Sequence, residues 1–128
     1  MNNYTIYYCI KINGAYDVLC AMSILNILNI PILNRTHLSM LTCNEDPITK
    51  RMLAYWVFTY GIIRLYDVGE IVTLSYILEA VCMANELRYQ KMKRGHVLFC
   101  VLGCLLFISI CDVTTQGIDI LDDNEELV

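Results

Sequence analysis

Four apolar stretches separated by polar breaks run along the chain. The first covers about 12–33 and is interrupted by Asp17, Asn26 and Asn29. The second covers 52–66 and contains Arg64. The third covers 68–87 and contains Glu70, Glu79 and Glu86. The fourth covers 95–113 and is uncharged from Val97 to Cys111. A helix that crosses a bilayer needs ~20 mostly apolar residues. The first and fourth stretches meet that directly, and the second and third meet it if their terminal charges snorkel to the interface. The pattern therefore predicts an all-α integral membrane four-helix bundle of up-down-up-down order over residues 1–114. An acidic, mobile tail is expected over 115–128, since 119–128 carries acids and no base.

The basic residues give this bundle a direction. With four crossings, Arg35, Lys50, Arg51, Arg88, Lys91, Lys93 and Arg94 gather on one side, seven in all, and only Lys11 and Arg64 fall on the other. The positive-inside rule then puts both termini on the non-cytoplasmic side. Composition agrees: 57% of the 128 residues are hydrophobic and 17% charged, against ~45–50% and ~25% in soluble domains. Mean hydropathy is +0.51. A net charge of −4 excludes a nucleic-acid partner of the usual basic kind. The N-terminus lacks the basic region and cleavage site of a signal peptide, so the first span is expected to serve as the insertion signal. The expected partners are the lipid bilayer and other membrane-embedded proteins.

Little in the sequence suggests catalysis. The seven cysteines have no framework spacing, and Cys100 and Cys104 read as small hydrophobes of the fourth helix. His37 and His96 stand at no ligand spacing from a cysteine pair, so neither a metal nor another cofactor is expected. Punctuation is clearer. Pro31 falls near the end of the first span, and Thr49 is placed to cap the second helix. Trp56, Tyr60 and Arg64 share one face at i, i+4, i+8.

Charges inside a span need partners. Folding the second and third spans back about a turn at Asp67–Glu70 puts Glu86 level with Arg51, while Asp17 of the first span reaches the depth of Arg64. Arg51–Glu86 and Asp17–Arg64 are the expected ion pairs. Glu79 is left at the bilayer middle with no basic partner in register, on a stripe with Cys82, Met83 and Glu86. A lone acid there is either structural or a proton- or lipid-handling carboxylate; no second group completes a catalytic set. Two sequons, Asn3–Tyr4–Thr5 and Asn34–Arg35–Thr36, offer a check on topology.

Arg51, then Trp56 five residues later and Arg64 eight beyond that, within Thr49–Tyr66, resembles the second span of the ergosterol biosynthetic protein 28 family. Ser75–Tyr76 and Asn85–Glu86–Leu87 resemble its third span. The chain departs from that pattern in Met52–Tyr55 before the tryptophan, and in Cys82 where the family has a histidine. The resemblance implies a non-catalytic, multi-pass scaffold of the endoplasmic reticulum membrane. Such a scaffold tethers the oxidase, dehydrogenase and ketoreductase of sterol carbon-four demethylation. The alternatives are a structural subunit of a larger membrane assembly, such as a virion or organellar complex, and a small lipid- or sterol-binding membrane enzyme built on Glu79.

Overall fold

A computed structural model describes residues 3–41, 46–66, 69–89 and 92–125, with side chains assigned for 4–111 of these. Its elements are helical: α1 (Asn3–Ile24), α2 (Pro31–Leu38), α3 (Pro47–Tyr66), α4 (Glu70–Tyr89) and α5 (Arg94–Glu125). The all-α expectation stands, but the first predicted span is two helices. Asn26 adopts a left-handed φ of 59°. The Asn26 amide donates to the Ser23 carbonyl and the Ile27 amide to that of Met22, a Schellman ending of α1. Asparagine tolerates that conformation because its short polar side chain finds local hydrogen bonds. Pro31, expected near a span's end, instead opens α2, where its fixed φ suits a first helical position.

Helix α1 begins at Asn3, nine residues before the predicted start at 12, and α3 at Pro47, five before the predicted 52; one cap is reassigned. The Asp46 carboxylate accepts the Thr49 amide at 2.7 Å, so Asp46 caps α3 with Pro47 as its first residue, and Thr49 is the capped partner. That bond, helped by Arg51, holds the exposed Asp46 carboxyl below the usual carboxylate range. Helix α5 runs past 113, where the span was predicted to stop, and its backbone is helical through Glu125, covering much of the expected tail. Cys43, Asp67, Lys91 and the Asn3 side chain lie outside the described residues.

Packing joins α1 to α3 and α4 to α5, with α2 folded back on α1. The α1–α3 crossing is antiparallel and passes through a pair of glycines. A Cβ on Gly14 would sit 2.9 Å from the Gly61 carbonyl, and one on Gly61 would sit 2.9 Å from the Gly14 carbonyl. Only hydrogen at both positions allows so close an approach, the device by which small residues bring helices together in membranes. Above and below this crossing lie two apolar clusters. Ile6 and Ile10 pack with Val72, Tyr76, Cys104 and Cys111, and Ala21 and Ile24 pack with Leu53, Ala54 and Val57. The connection after α2 meets the α4–α5 connection through a Leu41–Met92 bridge, which brings the two basic segments to the same end.

Among the described residues, one helix is long and apolar enough by itself to cross a membrane: Arg94–Cys111 of α5. The expectation of four such helices is met in composition by that one alone. Helices α1, α3 and α4 carry Lys11 and Asp17, Arg64, and Glu79 within their lengths, which lowers their apolarity; where those charges point decides what the helices do.

Candidate functional site: a buried arginine and the cleft above it

Arg64 lies one turn beyond Gly61 on α3, and the glycine crossing sets it against α1. Its side chain is 2% exposed. One terminal nitrogen donates to Asp17 Oδ2 of α1 at 2.6 Å, the other donates to Glu79 Oε2 of α4, and Nε faces Ser75 Oγ at 3.4 Å. The Tyr76 ring lies 3.9 Å from the guanidinium carbon, and Tyr60, one turn back on α3, lies 5.4 Å away. Tyr76 is held in turn by Phe107 of α5, stacked at 4.9 Å, and by the Asn13 amide, which donates to its hydroxyl at 3.1 Å. One side chain thus ties together α1, α3 and α4 and, through Tyr76, α5. A guanidinium suits this place because its planar fork offers donors in several directions while its faces accept aromatic rings.

Of the predicted pairs, Asp17–Arg64 forms. Glu79, expected to have no basic partner, has Arg64. The direction of side chains accounts for this. Cα–Cβ bonds tilt toward a helix's N-terminus, so Arg64 leans away from the α3–α4 connection while Glu79 leans toward it, and the two converge despite their different depths. The same rule separates Arg51 from Glu86, which form no ion pair among the described residues. Arg51 leans outward and is exposed, Glu86 leans inward and is half-buried, and Leu41, Met92 and Trp56 pack against Met83 in the space between. Trp56 contacts Tyr60 at 5.7 Å between ring centres and belongs to the core rather than to the charged centre. The predicted Glu79–Cys82–Met83–Glu86 stripe divides, with Met83 buried and Cys82 exposed on the outer face.

A cleft of about 760 Å3 opens between α1 and α5 over this centre, with Asp17, Arg64, Tyr76 and Glu79 along one side and His37 of α2 on another. Cys104 of α5 lines the same cleft. Burial pushes the His37 imidazole below its ordinary value of 6.5, against the opposing pull of Glu79, and its Nδ1 has no hydrogen-bond partner among the described residues. Asn13, Gly14, His37, Gly61 and Tyr76 complete the site and were not singled out as site residues by spacing; Gly14–x–x–Asp17 and Gly61–x–x–Arg64, a small residue one turn before a charge on each of two helices, are the signal for the two glycines, and Asn13, His37 and Tyr76 carry none. Among the described residues, no three His, Cys, Asp or Glu side chains stand close enough to hold a metal ion. No protein-family model, curated protein or solved structure matches the chain.

Proposed function

We propose that this protein is a membrane-embedded scaffold: α1, α3, α4 and α5 traverse the bilayer, and their outer faces hold other membrane proteins. The observation that carries this reading is the inversion of the usual pattern. The most apolar segment, Arg94–Cys111, is also among the least enclosed, with 17% of it buried, whereas Arg64 and Asp17 are inside. A chain that stays in water buries such a helix at its core. Helix α5 instead presents Leu98 and Leu105 on its outer face and leaves Phe99, Leu102 and Leu106 exposed along the cleft, and α4 presents Ile71, Leu74, Ile77, Leu78 and Val81. An apolar outer surface with its charges paired inside is what hydrocarbon demands of a bundle.

The three less apolar helices fit this reading because their mid-helix charges spend one another. The basic residues Arg35, Lys50, Arg51, Arg88, Lys93 and Arg94 then mark the cytoplasmic end. The resemblance to the ergosterol biosynthetic protein 28 family points to the endoplasmic reticulum and to the enzymes of sterol carbon-four demethylation as the proteins held. Purification of the tagged chain in mild detergent is expected to recover those enzymes. Recovery of the chain alone, or its release from membranes by alkaline carbonate, overturns the proposal. Recovery of capsid or organellar components in their place favours the structural-subunit reading.

A further inference from the structure

The cleft between α1 and α5 encloses an unequal count of charge. Asp17 and Glu79 together carry two negative charges when ionised, and Arg64 supplies one positive. The arginine is also the deepest of the three, its side chain 2% exposed against 10% for Asp17 and 19% for Glu79, so the carboxylates front the cleft. Their bonds to Arg64 use Asp17 Oδ2 and Glu79 Oε2 and leave one oxygen on each. Across from them, the His37 Nδ1 is buried without a partner among the described residues; its imidazole is neutral at ordinary pH and accepts through one nitrogen. Farther along, Phe99, Leu106 and Phe107 of α5 give the cleft an apolar wall.

We propose that this cleft binds an amphiphile with a protonated primary amine head and an apolar tail. The ammonium sits against Asp17 and Glu79, and the tail lies along α5 past Phe99 and Phe107. Such a head brings the single positive charge that balances the cluster, and its three N–H donors match the acceptors at Asp17, Glu79 and His37. A volume of about 760 Å3 is within the range of sites that take small organic ligands. An alcohol head would leave the excess charge uncompensated, and a carboxylate head would add to it. The proposal goes beyond the scaffold reading and does not depend on which proteins the outer faces hold.

The full chain in neutral phosphatidylcholine nanodiscs is the material for the test, with octadecylamine, octadecanol and octadecanoic acid as probes. Octadecylamine is expected to raise the thermal midpoint, and a diazirine-bearing octadecylamine is expected to label the cleft-lining Phe99, Leu106 and Phe107 of α5. The alcohol and the acid should do neither. Asp17→Asn and Glu79→Gln should each weaken the amine's binding about tenfold or more, the loss of one charged hydrogen bond. Should either variant fold poorly, Gly103→Trp serves in its place. Gly103 lines the cleft and a Cβ there meets nothing within 4 Å, so an indole there is expected to occupy the cleft and abolish labelling while the unliganded midpoint holds. Equal stabilisation by the alcohol or the acid overturns the proposal. So does labelling spread over Leu98 and Leu105 of α5 and the outer face of α4, or labelling that survives in Gly103→Trp.

Discussion

Removing one member of a buried ion pair costs about 3–5 kcal/mol because the survivor is left charged in low dielectric, and at Arg64 the survivors are two carboxylates. Arg64→Ala is therefore expected to cut the yield of folded protein far more than Asp17→Asn, which leaves Arg64 bound to Glu79. With Asp17 as its sole partner, deleting both members of the pair would restore folding. Because Glu79 shares the arginine, the Arg64→Ala, Asp17→Asn double variant stays poor and recovery needs Glu79→Gln as well, which size-exclusion profiles of the tagged variants will show. His37 has its own signature. Its folded-state pKa lies below 6.5, so the unfolded chain takes up the proton first. Stability is then full above about pH 6.5 and falls as the pH drops below it. His37→Phe should flatten thermal unfolding profiles between about pH 5 and 6.5, with Glu79, Tyr16 and His96 of the same cleft unchanged. The Asp46 cap acts in a lower window, its contribution present above 3.8 and lost as the pH falls through the depressed folded value. The Asp17–Arg64 pair was legible in the sequence because matching depths required only helix rise. The Arg64–Glu79 contact was not, because depth matching ignores the lean of side chains along a helix.

At the scale of elements, two glycines on neighbouring helices decide how closely α1 and α3 approach. Gly14→Ala places a Cβ 2.9 Å from both the Gly61 carbonyl and the Arg64 Cβ, and Gly61→Ala places one 2.9 Å from the Gly14 carbonyl and the Val18 amide nitrogen. Backbone atoms cannot yield as a flexible side-chain end can, so each change is expected to cost about 1–3 kcal/mol of overpacking and to loosen Asp17 from Arg64. Gly103→Ala on α5 is the control: open space surrounds it, and the gain in helix propensity stabilises by up to about 1 kcal/mol. Thermal midpoints of the three variants separate packing from propensity. Helix type was readable from the apolar runs, yet α2 was not. Asn26, Asn29 and Pro31 look alike as polar or rigid interruptions, and only the backbone shows Asn26 ending one helix and Pro31 starting another.

For the whole molecule, the Leu41–Met92 bridge sets the basic segments at one end, and the proposed orientation turns that end to the cytoplasm. Asn34 of the Asn34–Arg35–Thr36 sequon, placed in α2, is then expected to carry no glycan when the protein is made in a eukaryotic host. A mass shift on Asn34 removed by glycosidase would invert the topology.

The sequence by itself determined that the chain is helical, roughly where its long helices run, and that an aspartate and an arginine meet. Each of these follows from local pattern and helix rise. Tertiary structure alone decided that α1 and α3 touch through glycines, that one arginine serves two acids, and that a cleft remains between α1 and α5. The reason lies in the surroundings of the helices. Where a helix is apolar on both its packed and its outer faces, its residues carry no contrast that says which side turns inward, and the answer comes from shape and from where the few charges find each other.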